Sequence, residues 1–281
     1  MPTFDTPNPI TATIDLAFGG VRITAGDRSD TIVEVHPSDA GNAEDGKVAE
    51  LTRVQFENDR LHVKAPKLRS WLSTNSGGSI DVTVQLPAGS HVHGAGGLVD
   101  FRCQGRLGDC RIKTGLGSIE VDEAATLSLK TGTGDISANH VTSSAEVTTA
   151  SGDVRLSELD GSAVVKNSNG DTWVGVARGD VRLTAANGRV AVDEAHGSVV
   201  AKSANGDVRV GDVARGSAVL QTQVGDLEVG IREGTAAWLD VSSVAGRVHN
   251  ALDAADAPEP SAETVEVRAR TMAGDVVIRR S

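Results

Sequence analysis

Along the middle of the chain, apolar and polar residues alternate in short runs, and the runs return at a fixed spacing. After Gly152 come Asp153, Val154, Arg155 and Leu156; after Gly188 come Arg189, Val190, Ala191 and Val192; after Gly206 come Asp207, Val208, Arg209 and Val210. Alternation with period two predicts strands with one buried face, so the second and fourth residues after each glycine point inward. A second set of runs behaves the same way, with Leu127 and Leu129, Ala145 and Val147, Ala163 and Val165, Val181 and Leu183, Val199 and Ala201, and Ala218 and Leu220 facing in. No stretch has the 3.6-residue period of a helix, and almost none is expected.

The runs are set by glycine. Gly134, Gly152, Gly170, Gly188 and Gly206 stand 18 residues apart, Gly225 follows after 19, and Gly161, Gly179, Gly197 and Gly216 fall about midway. A fixed short period marks stacked repeats. The predicted fold is all-β: a parallel β-solenoid, β-helix-like or β-roll-like, with coils of ~18 residues and two short strands each, stacked at about the 4.8 Å strand spacing. Asn169-Gly170, Asn187-Gly188 and Asn205-Gly206 put the residues most tolerant of positive φ at one corner of three successive coils, where asparagines can bond from coil to coil.

Outside the centre the pattern continues less strictly. Ile14, Leu16, Gly19, Val21 and Ile23 match it, and so do Gly117, the Leu239–Val248 stretch and the Val267–Ile278 stretch. Longer strands are expected at Thr31–Val35, Leu61–Ala65 and Ile80–Leu86. The predicted organisation is one continuous domain: an irregular N-terminal β segment over 1–96 that caps the first coil, regular repeats over 97–250, and a loop plus C-terminal capping coil over 251–281. The loop is Ala251–Ser261, rich in Ala, Asp and Pro. Capping matters because a bare solenoid edge pairs with another chain.

Composition narrows the partners. Aromatics make up 2% of the 281 residues, so the core must come from Val, Ile, Leu and Ala, which suits a narrow layered interior. A formal charge of −11 argues against nucleic acid. No segment reaches the ~20 apolar residues of a membrane-spanning helix, and the first residues show neither a basic start nor an apolar run, so a cytoplasmic location is expected. Cys103 and Cys110 are too few for a disulfide scaffold or zinc site; both are expected to point inward on facing strands as small buried hydrophobes.

Three segments carry a family resemblance: the opening Thr-Phe-Asp-Thr-Pro-Asn-Pro-Ile (Thr3–Ile10), the central Val-Val-Lys-Asn-Ser-Asn-Gly-Asp-Thr-Trp (Val164–Trp173) and the closing Gly-Asp-Val-Val-Ile-Arg-Arg-Ser (Gly274–Ser281). The chain resembles the actinobacterial β-strand-repeat proteins of the domain-of-unknown-function 4097 family, which carry an adhesin-like label. The resemblance implies a β-helix-like fold and brings no catalytic residues with it.

Candidate chemistry is sparse. Asp135, Asp153, Asp171, Asp207 and Asp226 form an acidic column after the repeat glycines, with Arg189 interrupting. It invites comparison with calcium-binding rolls, but each turn offers one glycine and one Asp, and Asp equally suits a turn after Gly beside Arg155, Arg182 or Arg209. A glycosidase would need two carboxylates beside a sugar cleft, and the short turns supply no walls. The left-handed β-helix acyltransferases use three six-residue sides, whereas this period divides into two nines. His91 and His93 share an outward face around inward Val92, without an evident third ligand. Trp173 should face outward between Arg155 and Ala191 and stack on Arg155, and Trp238 should face outward on the opposite sheet. Lys130, Lys166 and Lys202 alternate with Thr148 and Thr184 as a solubilising face. The expectation is therefore a non-enzymatic structural or interaction protein, a scaffold or adhesin-like module, with Asp153, Asp171, Asp207, Arg155, Trp173 and Arg209 as candidate contact surface. No catalytic residue, metal or cofactor is implied, and the partner is an unknown protein or a second copy. The alternative is a carbohydrate-active β-helix enzyme working at the Asp column.

Overall fold

The alternation becomes parallel strands stacked in register. A computed structural model describes residues 2–66, 78–252 and 263–281, and the chain divides into two units, Met1–Ser137 and Ala138–Ser281. The architecture is all-β, repetitive and largely parallel, a solenoid-like arrangement.

In the first unit β1 (Thr3–Asp5), β2 (Thr11–Gly26) and β3 (Asp30–Pro37) precede helix α1 (Ala43–Leu51). Then follow β4 (Arg53–Glu57), β5 (Arg60–Lys64), β6 (Ile80–Pro87), β7 (His91–Leu116) and β8 (Ile119–Thr133). The long β2 pairs in parallel with β7, Ile23 opposite Cys103, and β7 with β8, Cys103 opposite Val121. Its other edge takes β5 and β6. There the direction changes: β4 pairs antiparallel with β5, β3 with β6, and β1 with β3. Phe4 and Phe56 stack with ring centroids 5.0 Å apart. The strands expected at Thr31–Val35, Leu61–Ala65 and Ile80–Leu86 are β3, β5 and β6.

The helix has no sequence-visible stripe, since only Asp45 and Val48 are buried on it. Local polar bonds hold it instead. Asn42 caps it by accepting from the Glu44 amide, and the Asp45 carboxylate accepts from the amides of Asp39 and Ser79 and from Asn42 Nδ2.

β9 (Ile136–Ser151) leads into the second unit, which contains β10 (Val154–Leu159), β11 (Ser162–Asn169), β12 (Thr172–Ala177), β13 (Val181–Asn187), β14 (Val190–Ala195), β15 (Val199–Lys202), β16 (Val208–Val213), β17 (Gly216–Val224) and β18 (Leu227–Ile231). Even- and odd-numbered strands form two rows. Val154, Thr172, Val190, Val208 and Leu227 align along one row, and Ala163, Val181, Val199 and Ala218 along the other. All nine of these side chains are buried, as the alternation requires. A third buried strip, Leu159, Ala177, Ala195 and Val213, fills the end of the layer beside the second glycine set.

The last elements, β19 (Ala236–Ala245), β20 (Val248–Asn250), β21 (Thr264–Ala273) and β22 (Val276–Arg280), depart from chain order. β21 pairs with β17 on one side and β19 on the other, and β22 likewise lies between β18 and β20. The C-terminal repeat is thus inserted rather than capping, and β19–β20 forms the outer edge. The reason is apolar content. Val265, Val267, Ala269, Val276 and Ile278 are buried between two neighbours, whereas β19–β20 sets Asn250 opposite Ile278 and lies at the edge. Of the Ala251–Ser261 loop, residues from 253 onward lie outside the described residues.

Glycine at the corner answers two demands at once. Gly188 has φ +130°, and a Cβ built on it would lie 2.1 Å from the Gly170 carbonyl oxygen of the preceding repeat. Gly161, without that φ, would place a Cβ 1.5 Å from the Ser143 oxygen. Gly188→Ala is expected to cost at least about 2 kcal/mol in urea unfolding, combining backbone strain with displacement of a neighbouring strand. Gly26→Ala, where nothing lies within 4 Å, should change stability by less than about 1 kcal/mol.

Candidate functional site

The outer surface of the second unit brings the expected contact residues together. In register, Arg155, Trp173, Ala191, Arg209 and Glu228 stand side by side on five successive strands. Asp153, Asp171 and Asp207 occupy the corner just before the same strands. Arg155 reaches back to Asp153 at 3.6 Å, and Arg209 to Glu228 at 3.6 Å. These are exposed pairs, each worth under about 1 kcal/mol.

Trp173 is only partly exposed. Its ring lies over Gly175, where a Cβ would meet Cη2 at 3.2 Å, and its Nε1 donates to Asp193 Oδ2 at 3.0 Å. The expected outward position holds, but the ring is held by a carboxylate on the next strand while the Arg155 guanidinium turns to Asp153. Asp193 was not singled out in the sequence. Its position, one strand along and two residues further on, becomes meaningful only once the register is known.

The acidic column does a stacking job. Four of its carboxylates accept a hydrogen bond from the amide of the equivalent residue on the neighbouring repeat: Asp153 from Asp171 N at 2.9 Å, Asp171 from Arg189 N at 2.8 Å, Asp207 from Asp226 N at 2.9 Å and Asp226 from Asp275 N at 2.7 Å. The asparagine corner works beside it, with Asn205 Nδ2 donating to Asn187 Oδ1 at 3.0 Å and Asn187 Nδ2 to Asn169 Oδ1 at 2.8 Å. The backbone amide satisfies charge that would otherwise repel along the column. Among the described residues, no group of three or more His, Cys, Asp or Glu side chains is arranged to hold a metal ion.

A buried polar ladder runs inside the same corner. Thr222 Oγ1 donates to the Gly206 oxygen of the preceding repeat at 3.0 Å, Thr271 to Gly225 at 3.1 Å, Ser203 to Gly188 at 3.2 Å and, in the first unit, Thr131 to Gly117 at 3.0 Å. Ala185 occupies one place in this series and cannot donate. Asn167 compensates: its Nδ2 reaches both Gly152 O at 3.0 Å and Gly170 O at 2.9 Å, the second being the oxygen a hydroxyl at 185 would serve. Thr131, Thr149, Asn167, Ala185, Ser203 and Thr222 recur at the repeat spacing, but their polarity hides the series from a search for apolar faces.

In the first unit, His91 and His93 flank buried Val92 and converge on Asp109: His91 Nδ1 accepts from the Asp109 amide at 2.8 Å, and His93 Nε2 lies 3.6 Å from Asp109 Oδ2, which also holds Arg111 Nε at 2.9 Å. A recess of about 380 Å³ in the same unit is lined by Arg22, Asp81, Asp100, Arg102 and Glu120. Arg102 is engaged by Glu120 through two bonds of 2.8 and 3.1 Å, whose hydrogen bonding and charge hold its guanidinium above the usual arginine range. Cys103 and Cys110 are both buried and in contact; hydrogen bonding to Cys103 and then burial push the Cys110 thiol well up.

Two measurements separate stacking from chemistry. Asp171→Asn keeps an oxygen acceptor for the Arg189 amide and should leave stability within about 0.5 kcal/mol, whereas Asp171→Ala should cost about 1 kcal/mol in denaturant unfolding. In a double-mutant cycle, Ala185→Ser should stabilise an Asn167→Thr background by about 1 kcal/mol more than it stabilises the native chain, because only there does Gly170 O lack its side-chain donor.

No match was found among the curated proteins. Among solved structures, a proposed adhesin from Bacteroides fragilis NCTC 9343 is 8% identical with a TM-score of 0.34, covering 100% of this chain and 95% of that one. A proposed cell adhesion protein from Clostridium sporogenes ATCC 15579 is 10% identical with a TM-score of 0.23, covering 100% and 98%. A proposed lipid binding protein from Parabacteroides distasonis ATCC 8503 is 10% identical with a TM-score of 0.32, covering 100% and 95%. A family model matches residues 12–279, nearly the whole chain, and the protein belongs to that family, Toastrack DUF4097.

Proposed function

We propose that this chain is a non-catalytic interaction protein, an adhesin-like or scaffold module, whose contact surface is the face carrying Asp153, Asp171, Asp207, Arg155, Trp173 and Arg209. We read its repeats as coils of a β-solenoid, with 1–96 as a modified cap, 97–250 as the regular body and 251–281 as the segment that supplies the inserted strands β21 and β22, in a cytoplasmic, actinobacterial protein. One observation carries the functional reading. The row Arg155–Trp173–Ala191–Arg209–Glu228 is contiguous, mixes charge with a large ring, and interrupts an otherwise repetitive surface. Tryptophan and arginine are the residues that most often anchor protein contacts. The carbohydrate-active alternative finds less support, because the carboxylates it would use accept bonds from neighbouring amides. Among the described residues, no helix is long and apolar enough to cross a membrane.

Co-purification from the native host tests the surface. A partner recovered with the native chain should be lost with Trp173→Ala combined with Arg209→Glu, while the unfolding midpoint moves little. Equal recovery with both chains would remove this face from consideration.

A further inference from the structure

Among the described residues, β19 pairs only with β21 and β20 only with β22, so each presents a free edge. Trp238 is 59% exposed, Val244 82% and Val248 44%. Leu239 and Val241, the equivalents of fully buried Val267 and Ala269, are only half-buried. A free strand edge is a template for pairing, and proteins ordinarily guard one with charges, proline or bulges. β19 has no proline, and its one charged side chain, Asp240, is engaged by Arg270 Nη2 at 2.6 Å.

We propose that β19 is a self-association edge, where two copies of this chain pair antiparallel about a twofold axis at Val241. The register follows from side-chain direction and charge. Inward residues must face inward residues, because a one-residue slip would turn the apolar set to the wrong side, so the axis has to pass through a residue rather than between two. Overlap of the ten-residue strand is greatest with the axis at Asp240 or Val241. An axis at Asp240 sets that carboxylate against its own copy, and like charges directly opposite are destabilising. An axis at Val241 places Trp238 against Val244, Asp240 against Ser242 and Leu239 against Ser243. The large exposed ring then meets the most exposed aliphatic residue, and the half-buried inner layer is continued by its own copy. A twofold contact of this kind is self-complementary and closes at two chains. β19 belongs to the row of strands opposite the Trp173 face, so either surface can fail without the other.

Mixing two single variants tests edge and register together. In an antiparallel pair directly opposite Cα atoms lie about 4.5–5.5 Å apart, within reach of a disulfide. Trp238→Cys mixed with Val244→Cys and oxidised should yield several-fold more covalent dimer than either variant alone; the native Cys103 and Cys110 are buried and do not compete. Light scattering of the native chain across a concentration series should move from the mass of one chain to that of two, and Val244→Lys should hold it at one with an unchanged melting temperature. A single-chain mass at every concentration, growth beyond two chains, or cross-linking no greater in the mixture than in the separate variants would overturn the proposal.

Discussion

The closeness of successive repeats at the glycine corner governs the second unit. At Gly170, Gly188, Gly206 and Gly225 the backbone takes φ between +130° and +145°, and the carbonyl of the preceding repeat sits where a Cβ would be. Such an approach leaves peptide oxygens and amides facing one another with little water between them. Each must then find a partner within the stack, because an unpaired buried peptide group costs about as much as a lost hydrogen bond. The side chains flanking the corner follow from that need. Outside it the Asp carboxylate takes the next amide, inside it a hydroxyl serves the glycine oxygen, and the asparagines bridge beside both.

This constraint reinterprets the acidic column. Five aspartates in a line look like a ligand set when only the sequence is known. In the stack, four of the carboxylates named above each accept an amide one repeat away, and the spacing that suggested a cation site is simply the spacing of the strands. A carboxylate serves the amide better than a neutral oxygen, since charge-assisted hydrogen bonds are the stronger kind. The column contributes to cohesion, and chemistry has to be sought where the repetition breaks.

Much of the architecture was legible in the sequence because its causes are local. Alternation set the buried faces, so Val154, Val190, Val208 and Val165 lie inward as expected, and the Gly spacing set the parallel register. Three features were not legible, each for a different reason. Helix α1 rests on polar bonds to Asp45 and Asn42, which leave no periodic apolar stripe. The hydroxyl ladder has the repeat spacing but the wrong polarity for a core. The exchange of β19–β20 and β21–β22 depends on a comparison between two repeats that differ in polarity at Asn250 and Ile278, and either alone satisfies the template. Of the proposed contact surface, Arg155, Trp173 and Arg209 follow from register arithmetic, whereas Asp193 as the ring's partner depends on how the indole lies across Gly175.

A ladder tolerates a missing member only where something nearby makes good the loss, so its breaks are informative. Ala185 removes a donor, and Asn167, with two N–H groups on one nitrogen, reaches both carbonyls. Arg189 interrupts the acidic column, yet its amide still bonds to Asp171, so the backbone ladder continues while the outward charge reverses. Trp173 needs Gly175 to give its ring room and Asp193 to take its N–H. All three breaks fall within the neighbouring repeats of β12, β13 and β14. The stack keeps its bonds there while changing what it shows to solvent, a local change of surface made without loss of register.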